Sequence, residues 1–495
     1  MSEWNEMSEI LGKDGGLRVS MPLCERTVSH EISEEVILPE ERPEIRRILS
    51  VVGRILPPSK YVGSGNAEWN GSVEYTLLYL TGSGALCTAT ARADYGFGVP
   101  LESGGADFDM GEGVRCFVST VTDQLSARAL GGRRVGLRHR MRSRIRVLGQ
   151  MTLCEVIRGE GEHRLERKTR EGRCMRALSV TSDPLPFREE LSLPSENTRV
   201  AGLLGDLFLS SANASQGVAT VTGEIHLRML TDSEVIVRKL PFEGTVSSEE
   251  LEAGMQISAE GVLCGLTVEV EGCRALCSGE VIFSARAMAE ETLLYTEDLY
   301  STERESVCEY GEYDLPTSLK TENRNLSVSE RIPLGDLRIP AEARVAAVWG
   351  EPRIESCEQT GGKALLSGVC RYTVLAETNG EYGVYEITRP WRLESEIGKE
   401  TMKAWDGSVE AVGCRGRVEG DLFCLDGELS LRMDYFGTYP IRTVTEVSLG
   451  EPCQNNGAHI TVYYPNPEES PWDVAKKYKV PASSLKGTPE SYFIL

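Results

Sequence analysis

The densest chemistry in the chain lies from Arg133 to Gly149, "RRVGLRHRMRSRIRVLG". At period two, Val135, Leu137, His139, Met141, Ser143, Ile145 and Val147 fall on one face. Arg134, Arg138, Arg140, Arg142, Arg144 and Arg146 fall on the other, interrupted only by Gly136. As a strand, this segment presents a row of guanidinium groups ~6–7 Å apart. One reading is a solvated outer face, balanced by carboxylates and resistant to edge pairing. The other is a docking stripe for an acidic partner or for phospholipid headgroups, because arginine forks match carboxylate and phosphate. His139, on the apolar side, reads as a hydrogen-bonded core histidine.

The common catalytic arrangements are absent or broken. "CEQTGGKA" puts Cys357 and Ala364 where a phosphate-binding loop needs glycine and a metal-binding hydroxyl. "GSGNAEWNG" has Glu68 at the third glycine position of a dinucleotide-binding turn. There is no G-x-S-x-G elbow and no H-E-x-x-H pair. The 5 histidines are isolated and the 14 cysteines scattered, with Cys273 and Cys277 the nearest pair as C-x-x-x-C, so no zinc site is expected. The 75 acidic residues single out no general acid–base pair. The expectation is a protein that is not an enzyme and needs no cofactor or metal.

A formal charge of -22 argues against general affinity for nucleic acid or anionic membrane. "MSEWNEMSEILGKDGG" lacks the basic and long apolar regions of a secretory signal, and no apolar run is long enough to span a bilayer. A cytosolic protein with buried, reduced thiols is expected.

Positioning the arginine row falls to strands. Period-two alternation dominates, as in "SVEYTLLYL", "EIHLRML", "GVCRYTVLAE" and "GELSLRMDYF". One order of events occurs three times. An opening around Leu-Pro or Ile-Pro ("EEVILPEERPEIRRILSVVGRI", "EELSLPSENTRVAGLLGDLFL", "GDLRIPAEARVAAVWGEPRI") precedes a polar-then-apolar strand pair and two closing strands. The expected division is an N-terminal tail (1–17), β domains at 18–150, 186–302 and 323–450, polar linkers at 151–185 and 303–322, and a terminal module at 457–495. Trp69, Trp349 and Trp391 read as core anchors.

In the module, "HITVYY" reads as a strand. Ser470, Pro471 and Asp473 supply an N-cap, a first-turn proline and a capping-box acid for a helix to about Lys479. "VPASSLK" reads as a second short helix and "SYFIL" as a returning strand.

The repeated units, through "RPEIRRIL", "EWNGSVEYTLLYL" and "FGVPLES", resemble the SPOCS domain of spore-coat proteins. The tail, centred on "WDVAKKYKV", resembles the LysM domain. The arrangement as a whole is similar to the SipL-type coat morphogenetic proteins. The fold class implied is mainly β: three sandwich- or barrel-like SPOCS-type repeats in tandem and a C-terminal LysM-like βααβ module. LysM domains mostly bind N-acetylglucosamine polymers through two loops. Here Glu468-Glu469-Ser470 replaces the usual Gly-Asp-Thr, and Gly487-Thr488 stand where an asparagine is usual. Both sugar loops are thus altered, with Asn466, Glu468, Glu469 and Ser470 in the first.

The resemblance therefore implies a scaffold of the endospore coat in the mother-cell cytoplasm, at the forespore surface. Its module would bind the ATPase of the coat's basement layer. Other coat proteins and a peripheral position at the forespore outer membrane are further expectations. Ile460, Trp472, Lys476 and Lys477 are the candidate partner contacts, with a staple against the first strand as the competing role for Trp472. The alternative function is a peptidoglycan or cortex-glycan binder of the envelope.

Overall fold

A computed structural model describes residues 9–10, 17–63, 65–101, 108–109, 113–153, 164–453, 461–488 and 491–494. Strand accounts for 78% and helix for 3%, so the mainly-β expectation holds, in several antiparallel sheets with no closed barrel among the described residues. The tail expected at 1–17 lies largely outside the described residues. Its β1 (Glu9–Ile10) pairs with the last long strand at Ser448–Leu449.

The first unit runs through β2 (Leu17–Ile37), β3 (Ile45–Ile55), β4 (Ser59–Gly63), β5 (Asn66–Thr81), β6 (Leu86–Pro100), β7 (Phe108–Asp109), β8 (Arg115–Ala129) and β9 (Arg134–Leu153). In one sheet β9 is central, between β2 and β8; in the other β5 is central, with β3 and β4 along one edge and β6 along the other. The second unit comprises β10 (Leu165–Thr181), β11 (Leu185–Ser192), β12 (Val200–Ser215), β13 (Val218–Thr231), β14 (Val235–Ser247), β15 (Gln256–Glu271) and β16 (Arg274–Ser301). Its sheets centre on β16, flanked by β10, β11 and β15, and on β13, flanked by β12 and β14. The third comprises β17 (Arg304–Pro333), the one-turn α1 (Leu334–Leu337), β18 (Arg344–Thr360), β19 (Lys363–Thr378), β20 (Glu381–Glu396), β21 (Ala404–Glu419) and β22 (Leu422–Pro452). Here β22 is central between β17 and β21, and β19 between β18 and β20.

The three units share one topology. The final strand returns to pair with the opening strand, and consecutive strands between them form the facing sheet, four in the first unit and three in the others. This corrects the expected linkers. Residues 165–181 are β10, and 304–322 begin β17; each is the opening strand of its unit, equivalent to β2. The composition misleads because these are edge strands whose outward positions carry Glu, Arg, Lys, Ser and Thr, which dilutes the apolar alternation. The units accordingly extend over 17–153, 165–301 and 304–452.

Each unit has a core between its own sheets. Trp69, wholly buried, stacks on Phe97 in the first unit, and Trp391 lies in the core of the third. Three further apolar clusters draw residues from all three units. Leu78 and Leu80 meet Leu204 and Leu230, and also Trp349 and Leu375. Val19 and Leu153 meet Leu293 and Tyr295, and also Leu315 and Ile441. Phe117 and Leu148 meet Met175 and Met288, and also Ala404 and Phe436. Equivalent strands supply equivalent residues, so the units close on one another as a ring and are not strung as separate beads.

Closure requires close backbone approach. A Cβ at Gly202 on β12 would clash with the Thr88 side chain on β6 of the first unit. Gly202→Val is expected to cost ~1–3 kcal/mol by overpacking this seam. Gly82→Val, where a Cβ meets nothing within 4 Å, is the neutral control. Urea unfolding followed by tryptophan fluorescence checks the difference in midpoint.

Candidate functional site

Where the three units meet, arginines from one unit reach backbone carbonyls of the next. Arg54 donates to Gly205 O, Arg144 to Trp405 O (3.2 Å), Arg353 to Asp123 O (3.1 Å) and Arg432 to Ala259 O (3.2 Å) and Leu209 O. The carbonyl of Asp123 is available for a local reason. The register of β8 on β9 shifts between Thr122 and Gln124, so Asp123 is the extra residue of a bulge. A buried carbonyl left out of its ladder must find another donor.

A charged cluster sits beside these contacts. Arg286 of the second unit pairs with Asp406 (2.6 Å) and Asp434 (3.5 Å) of the third, and Asp434 also accepts from Thr321 (2.8 Å). Arg432 pairs with Glu410 at 3.3 Å. Three cavities of about 140, 220 and 290 Å³ converge here, all bordered by Gly261 and two of them by Glu260. Arg286 Nε, Arg228 Nε, Arg353 Nε and Glu410 Oε2 border these cavities without a hydrogen-bond partner among the described residues. Polar cavities of this size have room for ordered water. Burial, with Asp406 nearby, pushes the Glu260 carboxyl up to about 7 against the pull of Arg286 and Arg432.

The arginine row divides into two halves. Arg138 and Arg140 pair with Glu31 (2.7 and 3.6 Å), and Arg134 pairs with Glu35, all on the neighbouring strand β2. Arg142 pairs with Asp123 (3.1 Å) and Arg146 with Glu25 (3.0 Å). Arg144 lies 3.5 Å over the Trp405 ring and Arg146 4.0 Å over Phe436, both across the boundary with the third unit. The row is therefore not a free docking stripe: its exposed half is neutralised by glutamates, and its inner half is a seam. The spacing of Glu25, Glu31 and Glu35 on β2 was the sequence signal that could have shown this.

The histidines and thiols engage in no nucleophilic pair among the described contacts. His139 bonds Tyr75 (3.0 Å) and Thr122 (2.9 Å), His30 bonds Ser143 (2.9 Å), and His226 bonds Glu224 (2.7 Å). Burial pushes His139 down to about 4 and the Cys116, Cys264 and Cys277 thiols up to about 11, so those thiols stay protonated at neutral pH.

The terminal module contains β23 (Thr461–Tyr463), α2 (Pro471–Tyr478), a three-residue 3-10 turn (Ala482–Ser484), β24 (Lys486–Thr488) and β25 (Ser491–Ile494). The expected second helix is only that turn, because Pro481 and two serines give it neither length nor propensity. The expected start of α2 is borne out: Ser470 is its N-cap, in a reciprocal capping box with Asp473. Val474, Tyr492 and Ile494 form the module's core, with Tyr463, Tyr478, Val480 and Leu485 packed against it.

Of the candidate partner contacts, Ile460 lies outside the described residues. Trp472 and Lys476 face the chain's own second unit, which sequence reasoning missed. Trp472 Nε1 donates to Asp298 Oδ2 (2.7 Å), and Lys476 Nζ to both Asp298 oxygens (2.6 and 2.9 Å). Tyr310 of the third unit donates to the same carboxylate at 2.7 Å. Tyr300 packs edge-on against Trp472, centroids 4.9 Å apart, and its hydroxyl donates to Val480 O at 2.7 Å. Burial raises the Asp298 carboxyl, but hydrogen bonds from Lys476, Trp472 and Tyr310 outweigh it and hold it below the usual carboxylate range. Trp472 is thus neither a staple on the first strand nor free for a partner in this state.

Lys477 stays within the module, on the Tyr463 hydroxyl (2.7 Å) and near Glu469 (3.8 Å). Glu469 accepts from Asn466 N and Tyr463 OH, both at 2.8 Å, closing the loop from Asn466 to Ser470 on itself; Glu468 is exposed.

These features define a class: a body of three like antiparallel units with a separately cored module docked on it. Compared with known proteins, the chain matches no family model, no curated protein and no solved structure. Among the described residues no helix is long and apolar enough to cross a membrane.

Two outcomes follow from the geometry. Arg144→Ala removes a desolvated cation–π contact worth ~2 kcal/mol and orphans a carbonyl. It is expected to lower the urea midpoint clearly, whereas Arg138→Ala, on the exposed half, leaves it unchanged. Glu260 binds its proton more tightly folded than unfolded, so its contribution is present below its ordinary pKa of 4.5 and lost as pH rises to about 7. The thermal midpoint of the wild type relative to Glu260→Gln is therefore expected to fall between pH 5 and pH 8.

Proposed function

We propose that this chain is a non-enzymatic scaffold of endospore coat assembly, a SipL-type protein of SPOCS-like repeats and a LysM-like module. It would act in the mother-cell cytoplasm, tethering coat layers to the forespore surface by binding the basement-layer ATPase through the module. The observation that carries the reading is the module itself. It has its own apolar core and a capped helix whose Trp472 and Lys476 are turned outward as hydrogen-bond donors. A helix face of that kind suits recognition of a protein surface. The loop that would take a glycan is instead folded back on Glu469. The three interlocked units supply a rigid body on which such a module can be displayed.

The test offers full-length protein and a chain ending at residue 454 to the purified coat basement ATPase and, separately, to insoluble peptidoglycan. The full chain is expected to bind the ATPase, the truncated chain to lose it, and neither to sediment with peptidoglycan. Retention on peptidoglycan without ATPase capture would replace this reading with the glycan-binding one.

A further inference from the structure

The contact between the module and the body differs in kind from the seams between units. Units share apolar clusters, whereas the module's core contains no residue of the body. What joins them is mainly polar, with one aromatic contact between Tyr300 and Trp472. One carboxylate, Asp298, collects Trp472 Nε1, Lys476 Nζ and Tyr310 OH. Tyr300 contacts Trp472 and Val480, Glu166 accepts from Ala482 N (3.3 Å), and Lys479 pairs with Glu305 (3.2 Å). Separation would uncover the ring of Tyr300, wholly buried here, but would not open the module's own core, and water can replace each of these hydrogen bonds.

The body side is purpose-shaped for one helix face. The register of β10 on β16 shifts between Lys168 and Thr169, opposite Thr296 and Asp298, so Glu297 is the extra residue of a bulge. Such bulges re-aim the following side chain. Asp298 and Tyr300 then stand two apart on the strand, on one face, presenting a carboxylate beside an aromatic ring. Trp472 and Lys476, four apart on α2, likewise share one face.

We infer that the Trp472–Lys476 face of the module is a recognition surface for a carboxylate beside an aromatic ring on a strand, latched in cis by Asp298 and Tyr300. A protein partner offering the same pair takes the module only by displacing β16. This inference rests on the module being the partner-binding element, and it adds the partner's chemistry and a competing intramolecular state.

The test uses full-length chains and no outside partner. Asp298→Asn keeps the shape of the site and removes its charge. Hydrogen exchange of residues 471–485 is expected to speed up about tenfold or more while β13 and β19 keep their protection. The double variant Trp472→Ala/Lys476→Ala leaves the body site vacant, and Trp472 is not in the module's core, so the fold persists. Mixing the two variants is expected to give a heterodimer in sedimentation velocity, one chain's free module on the other's Asp298. Adding Tyr300→Ala to the acceptor should abolish it, and neither variant alone should dimerise.

Unchanged exchange in Asp298→Asn overturns the latch. Faster exchange without a heterodimer, or dimers of Asp298→Asn with itself, overturns the proposed recognition chemistry. In the ATPase assay, Asp298→Asn should bind more tightly than wild type. Equal binding by both would sink the latch and leave the scaffold reading standing, whereas a working latch with no ATPase binding would do the reverse.

Discussion

The body depends on arginines that cross from one unit to the next and end on backbone. A guanidinium is always charged and offers several donors in a plane, so it can complete carbonyls that an edge strand or a bulge leaves over. Arg54, Arg144, Arg353 and Arg432 each do so, and Arg286 adds the ion pair to Asp406 and Asp434. Charges placed this far from bulk solvent are costly unless they are matched, and replacing one partner strands the other. That cost makes the junction intolerant of misassembly: units packed in another order would leave the same groups unmatched. The apolar clusters shared by the three units supply attraction, and the charged contacts select the arrangement.

The junction also explains why the bulges matter. An edge strand has carbonyls to spare on its open side, as at Gly205, Ala259 and Trp405, and a bulge frees another. Asp123 lies between two register positions of β8, and its carboxylate and carbonyl serve two units at once. The carboxylate holds Arg142 of its own sheet, and the carbonyl holds Arg353 of the third unit. The same device returns at Glu297, where it turns Asp298 toward the module. Open strand edges, and the bulges at Asp123 and Glu297, are thus where these elements are joined.

What was legible in the sequence followed from periodicity. The buried face of β9, from Val135 to Val147, is the face that alternation picks out, with His139 inside and hydrogen-bonded. The burial of Trp69, Trp349 and Trp391 and the cap of α2 were legible for equally local reasons. The opening strands β10 and β17 were not, because an edge strand facing water on one side can be as polar as a linker. The arginine row was visible, but its role was not. Whether a guanidinium meets solvent, a glutamate or a tryptophan of another unit is decided by pairings distant in sequence, as between Arg144 and Trp405. Asp298 carried no signal at all, since its importance comes from a bulge and from a helix that follows it by well over a hundred positions.

The contrast between seams and latch bears on how such a chain could work. A scaffold must keep its shape under load and still exchange partners, and one kind of contact cannot serve both needs. Apolar clusters spanning three units give up area only when the whole body opens, so their separation is cooperative and slow. A carboxylate held by an indole, an ammonium and a phenol gives up its bonds to water one at a time, and the apolar area at stake is one ring pair, Tyr300 on Trp472, not a shared core. The chain uses the first kind inside its body and the second where the module meets it. Trp472, with its ring against Tyr300 and its N–H on Asp298, belongs to the exchangeable kind, which is why its burial here and a partner role elsewhere do not conflict.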